Sequence, residues 1–406
     1  MRNLLRTLGF ALLTLTMSVA ARADVVTDWN QTTFAIGGPL IVRTLAMVHL
    51  AMFDAVNSVT PCFHPYAVLV PGGAGASAEA AAAAAAHGIL VRRFPAQSAA
   101  LAAALSASIA SIPDGDAKAR GLELGDRVAA EIHALRSNDG MLLPNPPYIP
   151  GPASEPGRYQ LTPPNFPAPA NTGAPGWSPF AMVNPWQFRA NGPPVLESRR
   201  YAKEVAEVMT IGSADPASRT PDQNQIALWH TEQAQVQLNR IARAAVVRTP
   251  IDLLTSARLF ALLNVALADA SVSVFEAKYA FDFWRPVTAI RNADLDGNAS
   301  TTVDLTWTPF LGATPPHPEY PSAHAVIQGA GGAVLERFLG PHYAFEATSL
   351  TVPGVVRTFD SLRAFVEDGQ IARIYGGIHF RSAVEEGAKQ GRKVGRWTMR
   401  TLLRPL

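Results

Sequence analysis

Residues 250–283 read PIDLLTSARLFALLNVALADASVSVFEAKYAFDF, with no glycine and no proline after the first position. A run this long, this apolar and free of helix breakers predicts a helix from Pro250 to Phe283, and its length excludes a strand. The same reading extends outward. On the N-terminal side it predicts helices over Ser198 to Ile211 and Asp222 to Arg243, and on the C-terminal side over Ala325 to Phe338, Ser361 to Tyr375 and Phe380 to Leu403. In the first half, Leu40 to Val56 has apolar residues at helical spacing, and Gly121 to Leu135 is amphipathic. Ser77 to Phe94 and Ala99 to Ile112 are alanine-rich runs of high helix propensity, broken at Pro95 and Pro113. Between Leu143 and Pro194 prolines crowd in, which excludes a long helix or a central strand and predicts a loop region over the surface. With no set of period-2 strands and no internal repeat, the expected class is all-α, packed as helical bundles. Residues 24–406 are expected to form one helical domain, with an N-terminal part 24–195 and a second part 196–406 that carries the chemistry.

The chain has 406 residues, 48% hydrophobic and 16% charged, which excludes a disordered chain and allows a large core. Arg2 and Arg6 precede the apolar run Leu8 to Leu15, and Ala21-Arg22-Ala23 offers small residues for cleavage, so residues 1–23 are expected to be a removed export signal. The run is shorter than the ~20 residues of a spanning helix, so no membrane anchor is expected after removal. Without those three arginines the formal net charge falls from +2 to −1, which removes the electrostatic case for a nucleic-acid partner. Cys62 is the only cysteine, so neither an intrachain disulfide nor a cysteine metal centre can form. Export without disulfides points to a bacterial periplasm or to secretion.

Three separated segments carry chemistry. In the first, Lys278-Tyr-Ala-Phe-Asp-Phe-Trp-Arg285-Pro286, the two cations are seven residues apart, close to two helical turns, and are expected on one face. Such a pair needs either solvent, by snorkelling at a helix end, or an anion. In the second, Pro315-Pro-His317-Pro-Glu-Tyr-Pro-Ser322-Ala323-His324, Ser322 stands where an N-cap would, before a helix rich in small residues. A helix start is an anion site, and His324 in its first turn suits proton donation; a plain cap beside a structural histidine is the alternative. In the third, Arg373-Ile-Tyr-Gly376-Gly377-Ile-His379, Arg373 and His379 would lie on different faces of one straight helix, but the glycine pair breaks it and lets them converge. Guanidinium forks, an ammonium, a hydroxyl and imidazoles together suit a tetrahedral oxyanion.

Lys-(six residues)-Arg-Pro, then Pro-Ser-(small)-His, then Arg-(five residues)-His resembles the three-part signature of the vanadium-dependent haloperoxidases and of the related type 2 phosphatidic acid and class A acid phosphatases. The resemblance spans Lys278 to His379. It implies that Lys278, Arg285, Arg373, Ser322 and the backbone N–H of Ala323 bind vanadate, that His379 bonds the metal, and that His324 is the acid–base group; Lys278, His324 and His379 are then the catalytic residues. Phosphate would compete for the same site. Ala323 stands where the family prefers glycine, and Ala383 where many members have an aspartate that would orient His379. The orienting group is thus open, with Glu385 or a backbone carbonyl as candidates.

The aromatic context of Phe283-Trp284-Arg285-Pro286, the chain length, and His317, placed like an extra histidine near the cofactor of bromide-oxidising members, favour the haloperoxidases. The implied activity uses hydrogen peroxide to oxidise bromide or iodide, with chloride as a further candidate, to a hypohalous acid equivalent. A small organic acceptor and a homo-oligomer are open. The alternatives are a periplasmic acid phosphatase working through a phosphohistidine at His379, and an oxyanion-binding protein without turnover. Asp294 to Asn298 resembles the start of a calcium loop but lacks the later ligands. Asp269 and Asp282 are candidate carboxylates behind the cations. His49 with Asp54, and His87, His133, His230 and His342, have no usable spacing and are expected to be structural or exposed.

Overall fold

The structure is a computed structural model that describes residues 24–38, 40–152, 155–249 and 251–406. The expected signal, residues 1–23, therefore lies outside the described residues.

The predicted long helix, α9, spans Leu253–Phe281. Asp252 caps it by accepting the Thr255 N–H at 2.8 Å, and Asp282 ends it in the left-handed region at φ 50°. Its middle turns are buried on all sides and mostly apolar, with the buried polar residues Asn264 and Asp269 held by hydrogen bonds. It is also the one helix among the described residues long and apolar enough to cross a bilayer, and 94% of its apolar window is buried inside the protein.

The first half of the chain supplies α1 (Val25–Ile36), α2 (Ile41–Val59), α3 (Ala78–Arg93), α4 (Ser98–Ile109) and α5 (Asp116–Leu135), of which α3 and α5 pack on α2. The second half adds α6 (Arg199–Ile211), α7 (Pro221–Trp229), α8 (Ala234–Arg248), α10 (Pro286–Arg291), α11 (Ala323–Leu339), α12 (Leu362–Tyr375) and α13 (Arg381–Thr401). Helices α2, α11 and α13 pack directly on α9. Among the described residues of 143–194, the only regular elements are one short turn at Ala174–Gly176 and a single bridge from Arg158 to Phe283.

Two helix pairs approach at backbone contact. On α13, Gly387, Gly391 and Gly395 recur every four residues, so they form one stripe. A Cβ at Gly391 would stand 2.0 Å from the Val326 carbonyl oxygen, and one at Gly395 2.4 Å from that of Ala330. The stripe thus seats α13 against α11 and fixes the start of α11, where the Ser322 N–H donates to the Ala383 carbonyl at 3.0 Å. Gly121 and Gly125 of α5 do the same against the alanine face of α3.

Four departures from the sequence expectations follow from tertiary contacts. The expected helix Asp222 to Arg243 is two helices, because the Thr231 hydroxyl bonds back to the Leu228 carbonyl and Glu232 reaches forward to Arg240, turning the backbone at residues 230–233. Helices α1 and α10 were not anticipated. Strands β1 (Phe345–Thr348) and β2 (Val356–Phe359) form an antiparallel hairpin, with Phe345 opposite Phe359. Four residues per strand are too few for a readable period, and burial of the Phe345–Phe359 pair against Phe365 carries the hairpin. Finally, Arg285 does not share a helical face with Lys278. The chain leaves α9 at Asp282, and Arg285 is the residue that precedes α10.

Candidate active site

Lys278 comes from the last turn of α9, Arg285 from the start of α10, Ser322 and His324 from the start of α11, Arg373 from the last turn of α12, and His379 from the turn into α13. Gly377, at φ 74°, makes that turn. A Cβ there would stand 2.2 Å from the Gly212 carbonyl oxygen, so the close passage of the α6 end requires glycine. The expected convergence of Arg373 and His379 is present, and both line one cavity with His317, Ala323 and His324. Lys278, Arg285 and Ser322 are fully buried behind these residues.

The three cations share one mode of anchoring. Lys278 Nζ donates to the carbonyls of Pro318 at 2.7 Å and Glu319 at 2.9 Å. Arg285 donates to the carbonyls of His317, Ile378 and Pro315 at 2.9, 2.8 and 3.1 Å. Arg373 Nη1 donates to the His230 carbonyl at 2.8 Å. All these acceptors are neutral, so each cation is oriented without being neutralised. Solvent snorkelling is overturned, because Lys278 and Arg285 are 0% exposed.

Arginine can only donate, and this fixes the histidine tautomers. Arg285 Nη1 faces His379 Nε2 at 3.3 Å, so Nε2 is the acceptor and Nδ1 carries the proton. That proton goes to Glu319 Oε1 at 2.9 Å, and the Phe380 N–H donates to the same oxygen at 2.9 Å. Arg285 Nη2 likewise donates to His317 Nδ1 at 2.9 Å, and the His317 ring meets Phe275 edge-on.

Glu319 is therefore the orienting carboxylate that sequence reasoning left open. Glu385, the carboxylate named as a candidate, stands instead beside Arg200 and Arg381 at the surface. The available signal was position: Glu319 is the only carboxylate inside the Pro315 to His324 segment. Asp269 and Asp282 do not face the cations. Asp269 accepts the backbone N–H groups of Phe180, Ala181 and Met182, holding the proline-rich segment, and Asp282 pairs with Arg158. Asp296 closes an ordinary turn onto Asn298 and Thr301 rather than a calcium loop. His230, read as structural or exposed, is buried with its ring edge-on to His324, 6.0 Å between centroids.

Burial dominates the electrostatics. It holds Lys278 well below its usual range, with Arg285 adding repulsion, and lowers Arg285 and Arg373 to about 10. It pushes Glu319 up to about 8 against the pull of Lys278 and Arg285. His317, His324 and His379 are all held well below 6.5, first by burial and then by neighbouring cations, so their neutral forms prevail. Three buried cations beside one carboxylate leave a surplus of positive charge. Four further buried atoms, Ser322 Oγ, His324 Nε2, Arg373 Nε and Glu319 Oε2, have no hydrogen-bond partner among the described residues. Surplus cations together with the unpaired donors Ser322 Oγ and Arg373 Nε are what a buried oxyanion requires.

Comparison with known proteins agrees. Residues 258–406 match the family model described as the VCPO second helical-bundle domain. The chain is 26% identical to the vanadium chloroperoxidase of Curvularia inaequalis over 478 aligned positions, covering 87% of this chain and 77% of that protein. The crystal structure of the first bacterial vanadium-dependent iodoperoxidase superposes with a TM-score of 0.79 at 25% identity, over 94% of this chain and 95% of that one. The chain belongs to the vanadium-dependent haloperoxidase superfamily. The apo-type bacterial vanadium-dependent chloroperoxidase shares the fold of this superfamily member, with a TM-score of 0.73 at 18% identity over 93% of this chain and 98% of that one. As a member of this superfamily the chain is an enzyme of the oxidoreductase class.

The superfamily implies vanadate, and the donor set fits it. Vanadate is a tetrahedral oxyanion, and the site brings the cations Lys278, Arg285 and Arg373 and the unpaired Ser322 hydroxyl together with the acceptor His379 Nε2. Among the described residues no group of three or more His, Cys, Asp or Glu side chains could instead hold a bare metal cation.

Proposed function

We propose that the chain is a vanadate-dependent haloperoxidase that uses hydrogen peroxide to oxidise bromide or iodide to a hypohalous acid equivalent. The observation that carries this reading is the surplus of buried positive charge around His379, whose ring is fixed by Glu319 with Nε2 directed to Arg285. Overall, halide gives up two electrons, the peroxide O–O bond breaks, and one proton is consumed to release water beside the hypohalous acid. Bound vanadate supplies Lewis-acid activation of peroxide without changing oxidation state.

In this reading Lys278, Arg285 and Arg373 hold the oxyanion's charge, with Ser322 Oγ and the Ala323 N–H as neutral donors, and His379 Nε2 is the metal ligand. Carbonyl anchoring suits the three cations to this work, because it sets their direction and leaves their charge for the ligand. His324, neutral and with Nε2 unpartnered, takes up and returns the proton. His317, held by Arg285 against Phe275 at the cavity wall, is the residue proposed to meet the halide. The cavity of about 570 Å³ lined by His317, Ala323, His324, Arg373 and His379 also has room for a small organic acceptor. Residues 24–406 are proposed to work as one helical domain after export to the periplasm or outside.

The test is direct. Protein purified without phosphate and then given orthovanadate is assayed for peroxide-dependent bromination and iodination, beside phosphate-ester hydrolysis. Vanadate-dependent halogenation is expected. Ester hydrolysis with no halogenation would reverse the reading in favour of a phosphatase.

A further inference from the structure

Arg373 differs from the other two cations in having a single fixed contact, the His230 carbonyl. His230 is the residue at which α7 ends, in the turn that splits the expected long helix. It is 0% exposed and is tied to α12 twice. Its carbonyl receives Arg373, and its Nε2 lies 3.0 Å from Oδ2 of Asp368, five residues earlier on the same helix. Five residues rise about 7.5 Å along a helix, a distance that a single histidine can bridge between carbonyl and ring. Gln328 of α11 reaches the other ring nitrogen at 3.4 Å, and Asp368 is in turn ion-paired with Arg357 at 3.3 Å.

We propose that Asp368 and His230 are positioning residues, a clamp that sets the direction of Arg373 toward the oxyanion. The inference rests on the oxyanion-site reading above. A carboxylate placed directly on Arg373 would orient it and also cancel its charge. Here the carboxylate instead holds the histidine ring, and only the neutral carbonyl touches the guanidinium. Arg373 Nε is thereby left without a protein partner, on a side chain that lines the cavity. The ring also stands edge-on to His324, so the same clamp limits the space of the acid–base group.

The probes are inorganic phosphate and orthovanadate, titrated calorimetrically into full-length protein purified free of both. Asp368→Ala is expected to weaken binding of both anions about tenfold, the usual size of such second-contact effects, while the far-ultraviolet circular dichroism stays native. Asp368→Asn, which retains an acceptor for the ring, is expected to restore most of the affinity. In an Arg373→Ala background, Asp368→Ala is expected to have no further effect. Wild-type affinity in a folded Asp368→Ala protein overturns the clamp, as does an equal loss with Arg373 already removed. If Asp368→Ala does not fold, Arg357→Ala decides: a loss of affinity of about threefold supports the clamp, and none overturns it. Wild-type protein that binds both anions yet oxidises no halide overturns the haloperoxidase reading alone, because the clamp is read from anion affinity.

Discussion

Glu319 accepts the Nδ1 proton of His379 at 2.9 Å across 60 residues of chain. The contact decides which nitrogen of His379 carries the proton and leaves Nε2 as the acceptor that faces Arg285, because the partner of one ring nitrogen sets the state of the other. Glu319→Gln keeps the size but offers only a neutral amide, whose oxygen accepts more weakly than an ionised carboxylate. Affinity for vanadate is expected to fall by 10- to 100-fold, as read by calorimetry beside the loss of halide turnover.

Ser322 and His324 offer a cleaner separation of binding from chemistry, since neither Ser322 Oγ nor His324 Nε2 has a protein partner among the described residues. Ser322→Ala is expected to leave the thermal midpoint unchanged while weakening phosphate binding by about 1 kcal/mol, the worth of one ordinary hydrogen bond. His324→Ala is expected to keep phosphate affinity within a few-fold and to lower turnover by roughly 10²- to 10⁴-fold. A phosphate titration and a steady-state halogenation assay on the two variants check both outcomes.

Gly391→Ala tests how far the α11–α13 contact carries the site. The added methyl would stand 2.0 Å from the Val326 carbonyl oxygen, which is backbone and cannot swing aside, so the helices must part. A loss of about 3 kcal/mol is expected in urea unfolding. The same displacement moves the start of α11, so anion affinity is expected to fall with stability.

His49 is one of several buried histidines that make the fold sensitive to acid. It is fully buried, accepts from Asn30 at 2.8 Å, and is lowered to about 3, first by burial and then by Arg243. Below pH 6.5 the unfolded chain binds a proton that the folded chain refuses, so stability falls as pH drops from 6.5 toward 3. Between pH 7 and pH 4.5 this single group is expected to cost about 3 kcal/mol. His49→Gln, which keeps an acceptor for Asn30 but does not titrate, is expected to reduce the loss of stability between the two pH values by that share in denaturant titrations.

Most helices were legible in the sequence, because their signals are local. α9 is set by an uninterrupted apolar run with Asp252 as its cap, and α3 by alanines behind Ser77, which accepts the Ala80 N–H. The cations, the serine and the histidines were legible as well, because their types and spacing lie within three short segments. The break at residues 230–233 was not legible, since no glycine or proline marks it and the hydrogen bonds that turn the chain come from side chains. The β1–β2 hairpin escaped for a similar reason, its pairing being carried by aromatic burial.

The chain by itself therefore determined which residues could meet an oxyanion and which helices would carry them. Tertiary structure alone decided what holds those residues in place. The Glu319–His379 contact spans 60 residues and the His230–Arg373 contact 143, and Lys278 rests on carbonyls 40 and 41 residues away. Periodicity and propensity report on a few turns of chain, whereas a hydrogen bond between distant segments exists only once the glycine stripes have brought the helices together and burial has excluded water from around the charges.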